Sequence, residues 1–333
     1  MRLGRQIDYL IASGTAVPAG PQYLAGSTIL ALAKAIAARG ARPAILVTDP
    51  ALDPALVARD DSEGITLFRS SQPVGSLPAL AFALGGPRLL MLPNQLAAYD
   101  LLRQPGLDGV AWLGEDDLRS LGLLLPAAPI RFWGDSAYVA ETAAAMLQQP
   151  VSTVAPPAGP GTAATIAARP NCIAVMGARP CDGIALTLTL AEMRRDLRFI
   201  LIEWPRLAET ERQALFGRAA RCGNIDWRRP DNPAGLLEAM LEAAVVLIPV
   251  QQPIGHRDWI HHCRRLGRTL LGSDLGALPA LIGPAGATLP PTAPPARWME
   301  LLDQLRRRTA ASDDSLASPI DRILDHLMTP PLP

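Results

Sequence analysis

The sequence predicts an α/β protein of two Rossmann-like domains with parallel sheets and C-terminal helices. Three observations carry this. Apolar runs of strand length alternate with amphipathic segments of helix length along the chain. A stretch rich in Pro, Gly, Ala and Thr, "PPAGPGTAATIAARPN" (156–171), splits that alternation into halves of similar size. The chain has 333 residues, 49% of them hydrophobic, which is enough for about two ordinary cores.

The elements follow in order. "IDYLIASG" reads as a strand that runs into a Gly/Pro loop, "GTAVPAGPQYLAG". In "STILALAKAIAARG" the residues Ile29, Leu32, Ala33 and Ile36 share one helical face, with Ser27 as N-cap and Gly40 just past the end. "PAILVTD" is a buried strand, and further strands are expected at 88–92, 109–113 and 130–133. "SAYVAETAAAMLQQ" is a helix and "VSTVAPP" a strand ending at prolines. Beyond the linker the strands are "CIAVMG", "RFILIEW", "GNIDW", "AVVLIPV", "RTLLG" and "GATL". Helices between them are expected near 183–195, 208–220, 234–243, 256–266 and 275–282. "ARWMELLDQLRRR" and "PIDRILDHLM" close the chain as helices. The expected domains are 1–160 and 161–312, with 313–333 a helix that crosses back towards the first. Ligands in such sheets bind at the carboxyl ends of the strands, so a cleft between the two domains is the expected site.

Composition excludes several classes. Lys plus Arg and Asp plus Glu both number 31, so no global field recruits nucleic acid. Lys34 is the one lysine, so a phosphate clamp elsewhere must use Arg, backbone N–H groups or helix N-termini. The four cysteines, Cys172, Cys181, Cys222 and Cys263, form neither a CxxC pair nor a dense framework, which suits a reducing compartment. The N-terminal stretch has no apolar core with a cleavage site, and "AVVLIPV" is too short to span a membrane. A soluble cytoplasmic protein is expected, with peripheral contact at the inner membrane left open.

Three segments together resemble the family 4 glycosyltransferases. "DSAYVAETAAAMLQQPVSTVAPPAG" is similar to the S-x-x-V-A-E … V-x-P-P ending of that family's first domain. "CIAVMGARPCDGIALTLTLAEMRRDLRFILIEW" is similar to the strand, P-x-K-G turn, helix and strand that open the second. "SDLGALPALIGPAGATLPPTAPPARWMELLDQL" resembles the S-D-x-G-G-L-P-E-x-V-G-x-x-G-x-L-x-P-P run. The resemblance implies the GT-B architecture of two facing domains. It also implies retaining transfer of a sugar from a nucleotide diphosphate sugar, without a metal or other cofactor. The acceptor, whether glycan, lipid or protein, is not specified.

Residue by residue, the chain departs from the family's donor pattern. Asp182 stands at the position of the turn Lys and Gly177 at that of the Arg. Arg179, in the same turn, is the candidate to replace the lost charge on the diphosphate, beside Gly183. Counting back from Gly267, His262 takes the place of the second donor-binding Glu, while Ile254 or Gln252 takes that of the first. Ala280 stands for the Glu after G-L-P, and Gly114 and Glu115 for a first-domain His. Ser273, Asp274 and Gly276 keep the turn whose N–H groups can meet an anion, though Asp274 can equally serve as a helix N-cap. Gly14, Gly20 and Gly26 let the first domain's loop approach the cleft or simply shape its turns.

"GHRDWIHHCRRLG" packs His256, His261, His262 and Cys263 together, but no pair is spaced i,i+4, so a metal site is not expected. Arg257, Arg264 and Arg265 on that segment meet phosphate, a partner or solvent. Two functional readings remain. One is an active glycosyltransferase with a rewired donor site built on Arg179, His262 and the backbone near Gly276. The other is an inactive homologue that serves as a protein partner or glycan binder. A general nucleotide-binding Rossmann protein ranks last, because the first loop lacks the G-x-G-x-x-G spacing.

Overall fold

The computed structural model describes residues 7–16, 28–62, 64–93, 108–121, 131–155, 167–204, 207–231, 233–253, 258–265, 267–307, 324, 325 and 327. The chain divides into two units, 1–159 with 318–333, and 160–317.

The first unit opens with β1 (Tyr9–Ala16), α1 (Thr28–Ala38), β2 (Pro43–Thr48), β3 (Val57–Ser62), β4 (Ile65–Ser70) and α2 (Pro73–Ala83). It continues with β5 (Arg88–Met91), β6 (Gly109–Leu113), α3 (Glu115–Leu121), β7 (Arg131–Gly134), α4 (Ala137–Leu147) and β8 (Val151–Thr153). The sheet order is β3-β4-β2-β1-β5-β6-β7-β8, and every neighbouring pair is parallel except β3 with β4. The central strands are apolar because helices cover both faces. One face buries Leu32, Ile36, Ile45 and Trp112, the other Leu10, Leu46, Leu77 and Val139. Leu324 and Leu327, from the end of the chain, lie in the first of these cores. Arg39 pairs with Asp325 at 2.8 Å and Arg88 donates to the Leu327 carbonyl, so polar bonds hold the same segment.

Local rules explain the helix ends. Ser136 caps α4, its Oγ accepting from the Val139 N–H at 3.3 Å. Gly40 takes φ +83 just past α1, where its N–H donates to the Ala37 carbonyl. The sequence reading assigns nothing to 50–87, yet these residues form β3, β4 and α2. "VARDDS" is charged because β3 is an antiparallel edge strand, so it lacks the apolar run that marks a buried one. β1 also extends further than expected, to Ala16, which places Gly14 inside the strand and not in the loop.

The second unit contains β9 (Arg169–Met176), α5 (Ile184–Met193), β10 (Arg198–Ile202), α6 (Glu209–Cys222), β11 (Ile225–Arg228) and α7 (Pro233–Leu241). After these come β12 (Ala243–Ile248), α8 (Asp258–Arg265), β13 (Thr269–Ser273), α9 (Leu278–Ile282), β14 (Ala287–Leu289) and α10 (Pro295–Leu305). The sheet is parallel throughout, in the order β11-β10-β9-β12-β13-β14. This is the Rossmann order: the chain winds outward from β9 to β11, then returns to the far side of β9 and winds outward again. Parallel αβ units with helices between the strands are thus present in both units, as the alternation predicts.

An ion cluster joins β10, β11 and the end of α7. Asp226 accepts from Arg198 at 2.6 Å and Arg228 at 2.8 Å, and Glu242 pairs with Arg228 at 2.5 Å. Burial opposes ionisation of Asp226, but the two guanidinium bonds outweigh it and hold its pKa below the ordinary 3.8. Arg228 likewise holds Glu242 below 4.5. Folded values below unfolded ones mean that this stabilisation is complete near neutrality and is lost as the pH falls through about 4. The urea midpoint is therefore expected to drop between pH 5 and pH 3, and less steeply in Asp226→Asn. Equal slopes for the two proteins would remove the cluster from the acid response.

Candidate functional site

In the second sheet the strand order reverses between β9 and β12, and that crevice is where open α/β sheets bind ligands. The two loops that leave it are latched together. After β9, Gly177 takes φ +92 and donates its N–H to the Ile202 carbonyl. A 3-10 turn follows at Pro180–Asp182, and Gly183, at φ +82, starts α5. After β12, the Gln251 N–H donates to the Cys181 carbonyl at 2.8 Å. Any β-carbon on Gly183 would stand 1.9 Å from the Pro249 carbonyl oxygen. The head of α5, with its N–H groups and positive dipole end, is thereby held at the switch point.

Arg179 and Asp182 fill this turn and pair with each other. Asp182 is not a loose acid beside an anion site. Its side chain is buried, and it accepts from Arg179 Nε and Nη2 and from the Arg179 backbone N–H, each at 3.0 Å. It lies directly under Gly177, where a β-carbon would meet the Asp182 carboxyl carbon at 2.4 Å. Arg179 is half-exposed and its guanidinium is oriented by a two-pronged bond. The turn thus presents a fixed guanidinium whose charge a buried carboxylate offsets. Only a three-residue spacing between Arg and Asp hints at this in the sequence.

Two strands away on the same carboxyl edge lies the end of β13. Ser273 is fully buried, and its Oγ has no hydrogen-bond partner among the described residues. The Asp274 N–H donates to the Leu289 carbonyl at 2.7 Å, and Gly276 takes φ +52. Asp274 is exposed and does not cap α9; the N-cap position is Ala277, with no side-chain bond. The capping alternative for Asp274 is therefore set aside, because the N-cap position lies three residues later. Arg179, Gly183, Ser273, Asp274 and Gly276 all occur at the carboxyl edge of one sheet.

His262 lies in α8, between half-buried His261 and buried Cys263; its side chain is outside what the structure describes, as are Gly20, Gly26, His256 and Arg257. Cys263 packs its sulfur 3.7 Å from Met240 Sδ, and burial pushes its thiol up to about 12. All four cysteines are free. The arginines here serve helix ends. Arg264 Nη1 donates to the Leu281 carbonyl at 2.7 Å, at the end of α9. Arg268 Nε donates to the Leu241 carbonyl at 2.9 Å, at the end of α7. No group of three His, Cys, Asp or Glu residues suited to a metal occurs among the described residues.

One buried acid escapes the sequence reading. Glu203, at the carboxyl end of β10, is fully buried. Its oxygens accept from the Leu207 N–H at 3.0 Å and Trp227 Nε1 at 2.9 Å, and Arg229 lies 3.4 Å away. Its signal is an acid that ends the apolar run "RFILIE". In the first unit, Gly114 donates to Asp117 at 2.8 Å, and Glu115, Asp117, Asp135 and Ser136 are buried at the ends of β6 and β7. The position where the resemblance expects a histidine is thus part of a buried acidic turn.

No protein-family model matches the chain, and no curated protein matches it. Solved structures do. Sucrose-phosphate synthase from Thermosynechococcus elongatus superposes with a TM-score of 0.65 at 14% identity, covering 96% of this chain and 94% of that one. The Anabaena protein HepE, in complex with UDP and glucose, gives 0.65 at 12%, covering 97% and 100%. The α,α-trehalose 6-phosphate synthase of Burkholderia multivorans gives 0.65 at 11%, covering 97% and 98%. The fold is GT-B. The GT-B neighbours are glycosyltransferases, and they match over nearly the whole chain. Identities this low carry the architecture and leave donor and acceptor to be argued from the residues. Among the described residues no helix is long and apolar enough to cross a membrane.

Proposed function

We propose that this protein transfers a sugar from a nucleotide diphosphate sugar to an acceptor, with retention of configuration and without a bound metal, as the resemblance to family 4 implies. The observation that carries the reading is the whole-length likeness to GT-B transferases, one of which holds UDP and glucose. Arg179 and the head of α5 would face the diphosphate, and the backbone from Ser273 to Gly276 would face the same ligand from two strands away. Preorganised donors of this kind stabilise the charge that develops on a leaving diphosphate. His262 would stand in for the missing acid at the ribose or sugar. The Arg179–Asp182 pair favours a second reading, a catalytically inactive homologue that binds a glycan or a partner subunit, because the offset charge weakens a diphosphate clamp.

Calorimetric titration with UDP, GDP and their sugar conjugates, without metal, separates these readings. Micromolar binding of one nucleotide with slow release of its sugar is expected, and Arg179→Ala should weaken it about tenfold. Binding without turnover on any acceptor would favour the inactive homologue. No binding at millimolar ligand would sink the donor-site assignment.

A further inference from the structure

Among the described residues β11 is an edge strand of the second sheet, and its sequence is Ile225-Asp226-Trp227-Arg228. The carbonyls of Asn224 and Arg228 accept from the N–H groups of Phe199 and Glu203. Residues 224, 226 and 228 therefore turn their main chain towards β10, and Ile225 and Trp227 turn theirs to the open edge. The side chains divide the same way. Ile225 and Trp227 belong to the core face that α6 covers, where Trp227 packs on Phe216 at 5.9 Å between ring centroids. Phe216 is nonetheless 50% exposed. Asp226 and Arg228 line the opposite face, bonded to each other.

We propose that this edge is a self-association surface, and that its partner is a second copy of this chain, paired antiparallel about a two-fold axis through Trp227. In that register Trp227 meets Trp227 of the second copy, and their outward N–H and C=O groups form a hydrogen-bonded pair. Ile225 meets Arg229, and Asp226 meets Arg228 in both directions. Opposite charges thus face each other on one side of the sheet. Two Trp227–Phe216 pairs close on the other side. Both copies present the main chain of Ile225 and Trp227 at this edge, so a parallel pairing cannot run in register, whereas the antiparallel, isologous arrangement can. Edge charges usually deter pairing by repulsion, but this order is self-complementary about its centre. The strand is short, so the affinity is expected in the micromolar range.

Sedimentation equilibrium of the full chain from low micromolar to several hundred micromolar tests this. The mass is expected to rise from one chain to two. Hydrogen exchange at the Ile225 and Trp227 amides is expected to slow over the same range. Phe216→Glu, a half-exposed position, should keep its thermal midpoint and weaken the association at least about tenfold. A single-chain mass at every concentration overturns the proposal. So does a dimer in which the Ile225 and Trp227 amides exchange as fast as in the monomer, or one that Phe216→Glu leaves intact.

Discussion

Gly183→Ala is expected to destabilise the second unit by about 3 kcal/mol. Two costs combine. The backbone at φ +82 is left-handed, which costs a residue with a β-carbon about 1 kcal/mol. The added methyl would also lie 1.9 Å from the Pro249 carbonyl oxygen, a main-chain atom that cannot swing aside. The loops after β9 and β12 must then separate, and with them goes the Gln251 to Cys181 hydrogen bond. Gly223→Ala is the control. It has φ +73 with nothing within 4 Å of the added carbon, so it should cost only about 1 kcal/mol. Urea unfolding of both variants measures the difference. Equal losses would mean that backbone strain alone acts at Gly183 and that the two loops are not rigidly latched.

Asn224→Asp is expected to cost about 4 kcal/mol. The Asn224 Nδ2 donates to the carbonyls of Ala191 at 3.1 Å, Arg194 at 2.9 Å and Leu197 at 2.9 Å. It thereby closes the end of α5 and fixes the connection into β10. Aspartate has no donor when ionised, so it sets negative oxygen against three carbonyl oxygens. The folded state then raises the carboxyl pKa, because only the protonated form can donate. Such a group destabilises at neutral pH and recovers as the pH falls, so the gap to the native chain should narrow between pH 7 and pH 5. Asn224→Ala, which removes the bonds without adding charge, should cost about 2 kcal/mol at either pH. A pH-independent gap for Asn224→Asp would show that the three carbonyls find other donors.

The sequence determines most of the architecture because most elements declare themselves locally. Buried parallel strands are continuous apolar runs, so "PAILVT" and "AAVVLI" are legible without any partner. A helix stop such as Gly40 is legible from glycine alone, and it takes left-handed backbone. The charged edge strand β3 is not legible, because only Val57 and Ala58 in "VARDDS" are apolar and the strand is defined by its pairing with β4.

Only the tertiary structure decides what the charged groups do. In sequence Arg179 is the candidate diphosphate cation and Asp182 an acid at the position of the turn Lys; folding buries the acid and sets it against the guanidinium. Arg264 reads in sequence as a cation that meets phosphate, a partner or solvent, yet packing brings the end of α9 to it. Asn224 reads in sequence only as part of the strand "GNIDW", yet three carbonyls converge on its amide. The physical reason is common to all of them. Apolar burial is read from a residue and its neighbours in sequence, whereas a hydrogen bond or ion pair depends on which distant group the fold delivers within 3 Å.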